Sequence, residues 1–215
     1  MTLANRFLRL TALCLCCWFS MNGHALADDK VLDVTSMGEQ AISLTEYFSV
    51  LEDADARLTF SDVTQAPWRE RFKAGQAPSH ALGFSYTRSA VWLRLHLSNP
   101  GPHALVRMLD ISYALLAHVD FYVPTAQGHQ KIEAGYTRPL SALAQSSRFI
   151  AVPITLPAVS QGEVYVRVQT PNSLNIPARL WSVEAFHAHQ PRDQALQAFY
   201  FGITLAIAIY NLMLY

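Results

Sequence analysis

Cysteine is scarce in this chain, and its placement excludes several classes of protein. The 215 residues include 3 cysteines, namely Cys14, Cys16 and Cys17, and none follows. The remainder of the chain therefore cannot be cross-linked by disulfides or bind zinc through thiolates. Its stability has to come from burial of apolar side chains, for which a domain of about 160 residues is large enough.

Charge of either sign is also scarce. The chain has 16 basic and 16 acidic residues and a net charge of zero, so no basic patch indicates nucleic-acid binding. No G-x-S-x-G, phosphate-loop or H-E-x-x-H motif occurs. His187 and His189 could hold a metal between them but have no third ligand nearby. The three carboxylates within 51–55 lack the glycine and the regular ligand spacing of a calcium loop. We therefore expect no enzyme, cofactor or metal in this stretch of sequence.

The N-terminal segment has the pattern of a secretory signal. Arg6 and Arg9 precede an apolar stretch at 10–21, and Ala25 and Ala27 form an A-x-A site. This predicts a signal peptide over 1–27, cleaved after Ala27. An uncleaved anchor is the alternative, although the apolar stretch is shorter than a membrane span. Cleavage would remove all three cysteines, leaving 28–190 in the periplasm.

A long uncharged run occurs at 195–215. As a helix it would extend roughly 31 Å, which matches the hydrocarbon core of a bilayer. The alternative is a buried core helix, but the chain offers no partner helices to surround one. The run therefore predicts a transmembrane helix, preceded by a linker at 188–194 and a β-sandwich domain at 28–187.

Short segments that alternate apolar and polar residues fill the middle of the chain. Asn, Pro and Gly clusters at 99–102, 124–128 and 159–163 break the alternation. This spacing predicts an all-β fold, a sandwich or jelly roll. Residues 61–73 are an exception and predict a short helix that Ser61 caps and Pro67 interrupts.

Four of the predicted strands pair an aliphatic face with a face that mixes aromatic and charged side chains. The mixed faces carry Trp92 and Arg94, then Asp120 and Tyr122, then Tyr165 and Arg167, and finally Asn175, Arg179 and Trp181. Rings beside such polar groups suit a sugar or a small carboxylate, and the arginines favour an anionic ligand. The alternative is a solvated face on which rings cover arginine stems. We predict ligand binding by the first six of these residues.

Several segments resemble one family of bacterial receptors. They are "ISLTEYFSVLEDADARLTFSDV", "LGFSYTRSAVWLRLHLSNP", "AHVDFYVP" and "VYVRVQTPNSLNIPARLWSVEAF", followed by "FYFGITLAIAIYNLMLY". Together they resemble the 7TM receptors with diverse intracellular signalling modules (7TMR-DISM), with a type-two extracellular sensor domain at the N-terminus. The resemblance covers residues from about 30 to 215.

This resemblance implies a periplasmic jelly roll similar to carbohydrate-binding modules, then seven membrane helices and a cytoplasmic output domain. Kinases, diguanylate cyclases, phosphodiesterases and phosphatases are outputs of such receptors. Residues 195–215 would be the first of the seven helices, and the chain would be a fragment of an inner-membrane receptor.

The sequence therefore predicts a periplasmic sensor that binds a sugar or a small carboxylate and relays the signal through the membrane. One alternative is a protein-interaction or dimerisation module whose mixed faces carry interface hot spots. An anchored hydrolase is a weaker alternative, since it needs a carboxylate pair that the sequence does not show.

Overall fold

The computed structural model describes residues 29–38, 40–138, 145–146 and 150–214, with backbone alone at 145–146 and 190–197. The signal peptide predicted at 1–27 lies outside the described residues. The strands are β1 (Val31–Asp33), β2 (Ile42–Ser43), β3 (Phe48–Asp53), β4 (Leu82–Tyr86), β5 (Ala90–Asn99), β6 (Leu105–Ile111), β7 (His118–Thr125), β8 (Gly128–Ala134), β9 (Gln145–Ser146), β10 (Ile150–Leu156), β11 (Ser160–Gln169), β12 (Ser173–Ile176) and β13 (Ala178–Ser182). The helices are α1 (Phe60–Val63), a 3₁₀ helix at Arg69–Arg71, and α2 (Val183–Leu214).

Two sheets pack face to face and confirm the predicted β-sandwich. The first sheet has the order β1-β5-β11-β7-β8 with β3 also beside β5, and the second has the order β2-β13-β6-β10-β9. The aliphatic side of β5, from Val91 to Leu97, is buried in the core between them. Each such fully buried side chain contributes about 2 kcal/mol through removal of apolar surface from water.

The fourth predicted strand is in fact two strands that belong to different sheets. Pro177 separates β12, which pairs with β4, from β13, which pairs with β6. Proline has no N–H for a ladder, so it interrupts pairing at this position. Arg179 and Trp181 consequently lie on the outer side of the second sheet, away from the mixed faces of the other three strands.

A segment at 54–73, called the strap below, crosses the outer side of the first sheet. Within it, α1 begins at Thr59: the Thr59 hydroxyl accepts from Asp62 N, and the Asp62 carboxylate accepts from Thr59 N at 2.8 Å. The prediction that Ser61 caps this helix is therefore wrong, because Thr59 and Asp62 form a capping box two residues earlier. The peptide bond before Pro67 is cis. The strap rejoins the sheet where Lys73 and Val50 exchange backbone hydrogen bonds.

The last helix, α2, continues directly from β13. Ala185 N donates to Ser182 Oγ at 3.2 Å at the start of the helix, and no glycine follows before Gly202. The helix backbone runs through 188–194, the stretch predicted as a linker, and includes Pro191. The apolar side chains described between 198 and 214 are exposed. In the described part of the chain, no helix has the length and apolar character needed to cross a membrane.

Candidate functional site

The strand register brings the six predicted residues onto one face of one sheet. Arg94 of β5 lies opposite Tyr165 of β11, which in turn lies opposite Tyr122 of β7. In the adjacent row, Trp92 lies opposite Arg167, and Arg167 lies opposite Asp120. These six side chains form a two-row patch, called the aromatic face below. Periodicity predicted which side of each strand they share, and the pairing shows that the three strands are neighbours.

The strap covers most of the aromatic face. Trp92 and Tyr165 are 0% exposed, Asp120 is 4% exposed and Arg94 is 7% exposed, while Tyr122 and Arg167 are half-buried. A second apolar cluster forms between face and strap from Leu51, Leu58, Phe60, Val63, Trp68, Phe72, Trp92, Tyr122 and Tyr165. The face is therefore a small interior of its own rather than an open platform.

A column of rings connects the strap to the sheet. Phe60 of α1 stacks on Tyr122 with centroids 4.4 Å apart and planes 7° apart, and Tyr122 stacks on Trp92 at 5.6 Å. Burial raises the pKa of Tyr122. Among the described residues, Trp92 Nε1 is buried and has no hydrogen-bond partner. An unpaired buried donor costs about 1–3 kcal/mol, so the indole N–H offers an unused contact.

Glu163 is the centre of a polar network at one end of the face. Arg69 of the strap donates to both Glu163 oxygens, at 2.6 and 3.1 Å, and the Tyr165 hydroxyl donates to Glu163 at 2.7 Å. Burial opposes ionisation of Glu163, but the hydrogen bonds from Arg69 and Tyr165 outweigh it and lower the pKa of this carboxyl group. Burial together with the bond to Glu163 raises the pKa of Tyr165 to about 12.

Arg94 is held from both sides. Its guanidinium donates to the Asp29 carboxylate and to Arg69 O at 3.2 Å, and lies 4.7 Å above the Phe72 ring. His96 Nε2 is 3.0 Å from the same Asp29 carboxylate, though without hydrogen-bond alignment. The arginine predicted to grip a ligand therefore already has a carboxylate partner two residues beyond the predicted cleavage site.

Asp120 is likewise neutralised by neighbours. Arg138 donates to it at 2.8 Å, and Lys131 Nζ is 3.5 Å away. Glu133 pairs with both cations, at 2.7 Å to Arg138 and 2.6 Å to Lys131. Sequence reasoning missed Lys131 and Glu133, although their alternation with the buried Ile132 and Ala134 in β8 is a visible period-two signal.

Arg167 differs from the other arginines near the face. Its Nη2 donates to Ala56 O of the strap at 3.2 Å and to Gln169 Oε1 at 3.0 Å. Both acceptors are neutral, and within the described ranges Arg167 forms no ion pair with a carboxylate, whereas Arg69, Arg94 and Arg138 all do. A charged guanidinium prefers an anionic, two-pronged partner, so Arg167 has capacity for an acid group.

No group of three or more His, Cys, Asp or Glu side chains in the described residues has the arrangement of a metal site. Next to the strap, a cavity of about 680 Å³ opens between β3 and the second half of the strap. It is lined in part by Leu51, Trp68 and Phe72, which also belong to the cluster on the aromatic face.

Comparison with known proteins gives one family match. Residues 45–182 match the family described as 7TMR-DISM extracellular 2. Among solved structures, CsCBM6-3 from Clostridium stercorarium, in complex with cellobiose, is 13% identical and has a TM-score of 0.21. That alignment covers 49% of this chain and 83% of the other, and a likeness this weak carries no further weight. No curated protein matches the chain.

Proposed function

The chain belongs to the family of 7TMR-DISM extracellular 2 sensor domains, and from this premise we propose that it binds a small periplasmic molecule for a membrane receptor. The sensor domains of this family are non-catalytic. The proposed ligand is a sugar or a small carboxylate. Its binding residues are Trp92, Arg94, Asp120, Tyr122, Tyr165 and Arg167.

One observation carries this proposal. Stacked aromatic rings lie beside Arg167, which has only neutral acceptors among the described residues. Rings provide a flat apolar surface for a ligand, and a guanidinium provides directional, charged donors. Arg94 and Asp120 belong to the same patch, but their charges are already engaged by ion pairs. Among the six binding residues, Arg167 therefore makes the main charged contact to the ligand.

The proposed relay runs through α2. Phe186, in its first turn, is buried against Met108, Ala151 and Trp181 on the outer side of the second sheet. A ligand that favours one arrangement of the sandwich would therefore bias the start of a helix that is covalently continuous with β13. The proposed relay requires sheet and helix to move together at this joint.

We also propose that 195–215 inserts into the inner membrane. The run has no charged residue, and its large apolar side chains from Phe199 to Leu214 are exposed. It begins at Ala195, within α2. Insertion at this position keeps the sandwich in the periplasm.

The interaction-module alternative is less well supported. A stable protein interface needs about 800 Å² of surface on each partner, and the covered face, with Trp92 and Tyr165 fully buried, does not present it. A small ligand requires only a local opening of the strap. Large exposed side chains elsewhere in the described sandwich, such as Tyr86 and Tyr136, belong to separate segments, β4 and the turn after β8. Isolated exposed apolar residues of this kind are normal on monomers.

A thermal-shift screen of the whole chain in detergent tests the proposal. The panel contains neutral sugars, uronic acids, amino acids and small carboxylates. A ligand at a hundred times its dissociation constant adds roughly 2.7 kcal/mol of stability. Arg167→Gln should abolish the shift, whereas Arg179→Gln, a half-buried arginine on the other sheet, should retain it. If no compound raises the melting temperature, or if both variants lose the shift equally, this ligand site is wrong.

A further inference from the structure

We infer that the strap occupies the ligand site from within the chain, and that the Phe60 ring takes the place of a ligand ring. The natural ligand would then be a small aromatic carboxylate that displaces Phe60 from Tyr122 and pairs with Arg167. This inference rests on the proposed function and specifies both the ligand class and the way in which the site opens.

The position of Phe60 resembles that of a bound ring. It lies flat on Tyr122, 4.4 Å away and tilted by 7°, and its edge meets Tyr165 at 5.6 Å. His129 borders it at 5.0 Å. A phenyl group contacted on one face and along its edge by other aromatics has the environment that an aromatic ligand requires.

The middle of the strap is attached mainly through side chains. The C-terminal end of the strap pairs with the sheet through the backbone of Lys73. Between Ala56 and Arg69, the packing onto the sheet is mainly through apolar side chains. Two backbone N–H groups, those of Ala56 and Leu58, donate to Asp53 at the end of β3, at 3.1 and 2.9 Å. The remaining described contacts are the bonds of Arg69 to Glu163 and to the Tyr165 hydroxyl, and two carbonyls that accept from arginines. The Arg69 side chain is 44% exposed, so water screens that pair. The cavity of about 680 Å³ beside Trp68 and Phe72 leaves room for movement. Segments with few backbone bonds to their neighbours open at low cost.

Displacement of the strap would expose two donors that lack strong acceptors. Arg167 would lose the Ala56 carbonyl, which belongs to the strap, and Trp92 Nε1 has no partner among the described residues even when covered. Asp120, in the same row as Arg167, is already paired with Arg138 and Lys131. A carboxylate brought by the ligand would therefore be the anion that Arg167 lacks. Ring and acid together define an aromatic carboxylate.

Benzoate is the probe for the first experiment, with binding to the whole chain in detergent measured by calorimetry. Phe60→Ala removes the ring that competes with benzoate for Tyr122. The affinity for benzoate should therefore increase at least about tenfold, because a site that the Phe60 ring occupies most of the time binds an added ligand weakly. Leu58→Ala is the matched control, since it shortens another half-buried strap side chain but leaves the ring on Tyr122. Its gain should be clearly smaller. Arg167→Gln should lose benzoate binding, and benzyl alcohol, which has the ring but no acid, should not bind.

The second experiment uses the wild-type chain and does not depend on any variant folding. Hydrogen exchange of peptides within 54–73 should accelerate when benzoate binds, while exchange in β5 and β11 slows. Slower exchange in the strap on binding would mean that it closes over the ligand, which overturns the inference of displacement.

The outcomes separate the inference from the proposed function. Equal benzoate affinity in wild type and Phe60→Ala would overturn self-occupation and leave ligand sensing intact. A uronic acid or a neutral sugar that binds where benzoate does not would overturn the ligand class alone. If no compound of the panel binds either protein, the inference and the proposed function both fail.

Discussion

Arg69 and Glu163, which are 94 residues apart in the chain, meet in a two-pronged ion pair at 2.6 and 3.1 Å. The pair links the strap to β11 at the edge of the aromatic face. Both side chains are partly exposed, so the pair itself contributes modestly, about 0.5–1 kcal/mol. The Tyr165 hydroxyl donates to the same carboxylate.

Tyr165 should ionise at a higher pH than a tyrosine in water. Burial and the bond to Glu163 raise its pKa to about 12, whereas a tyrosine in water titrates near 10. Because the pKa is raised on folding, the resulting stability is present below about pH 10 and lost as the pH rises towards 12. Tyrosinate absorbance during alkaline titration should show a group with a pKa of about 12 that is missing in Tyr165→Phe. In Glu163→Gln the pKa should fall but stay above the usual value, since burial is the larger cause.

Trp92→Ala should destabilise the domain by about 3–5 kcal/mol, since it removes a fully buried indole and leaves a cavity. Trp92→Phe should cost much less, because it retains a ring and removes the N–H that lacks a partner. Tyr86→Ala is the control at an 82% exposed position and should change stability by less than about 0.5 kcal/mol. Denaturant titration of the three variants measures these differences. A small loss in Trp92→Ala would contradict the covered state of the face.

Gly135 and Gly128 form a matched pair that isolates one steric contact. Both have a positive φ, 119° and 123°, so alanine at either position adds backbone strain of about 1–3 kcal/mol. A Cβ at Gly135 would lie 2.2 Å from the Ala117 carbonyl oxygen, whereas at Gly128 nothing lies within 4 Å. The free energy of unfolding of Gly135→Ala should therefore be lower than that of Gly128→Ala by about 2 kcal/mol. Equal losses in chemical denaturation would show that the turn after β8 can move away from Ala117.

The sequence was sufficient to predict the class of fold and which side chains share a face. Strict alternation in β5, β7 and β11 placed Trp92, Asp120 and Arg167 opposite aliphatic neighbours. The register between these strands could not be predicted, because it depends on pairing between segments tens of residues apart. Pro177 was a readable signal for the end of β12, since proline is excluded from the middle of a paired strand.

The cover over the aromatic face could not be predicted from local patterns. Phe60, Trp68 and Phe72 are spaced eight and four residues apart, which is compatible with either a helix or a strand, and Pro67 interrupts both. Their common partner is a surface built by three strands far along the chain. Burial of Trp92 and Arg94 is therefore a tertiary property, and the sequence shows only that both residues are on the same side of β5.

Asp110→Asn should stabilise the protein at neutral pH. Burial raises the pKa of Asp110 more than the hydrogen bond from Ser112 lowers it. A raised pKa means that the folded state favours the protonated acid. The stability that protonated Asp110 provides is therefore complete below its pKa in the unfolded chain, and is lost as the pH rises through its pKa in the folded protein. The amide mimics the protonated acid, so the melting temperature should rise at pH 7 and change little near pH 3, about one unit below the usual aspartate value.

Asp62→Asn is the control with the opposite sign. Hydrogen bonds from Thr59 lower the pKa of Asp62. The stability that the Asp62 carboxylate provides is therefore present above its pKa in the unfolded chain, and is lost as the pH falls through its pKa in the folded protein. The substitution should therefore lower the melting temperature at neutral pH and have little effect in acid. If both variants shift the melting temperature in the same direction at pH 7, the assigned cause of the Asp110 shift is wrong.

Phe186 tests whether α2 is mechanically joined to the sandwich. It is 4% exposed and its ring meets Trp181 edge-on at 6.4 Å, and Trp181 also stacks on His189 at 4.8 Å. Phe186→Ala should remove the apolar part of this joint and accelerate hydrogen exchange in 183–189, while β5 and β11 keep their protection. Phe199→Ala, at a 70% exposed position on the same helix, should leave exchange in 183–189 unchanged. A ligand can bias the helix only through contacts that differ between two arrangements of the domain. If residues 183–189 exchange equally fast in wild type and Phe186→Ala, the Phe186 contact is not part of the relay. The signal from the aromatic face would then reach α2 only through the β13 backbone.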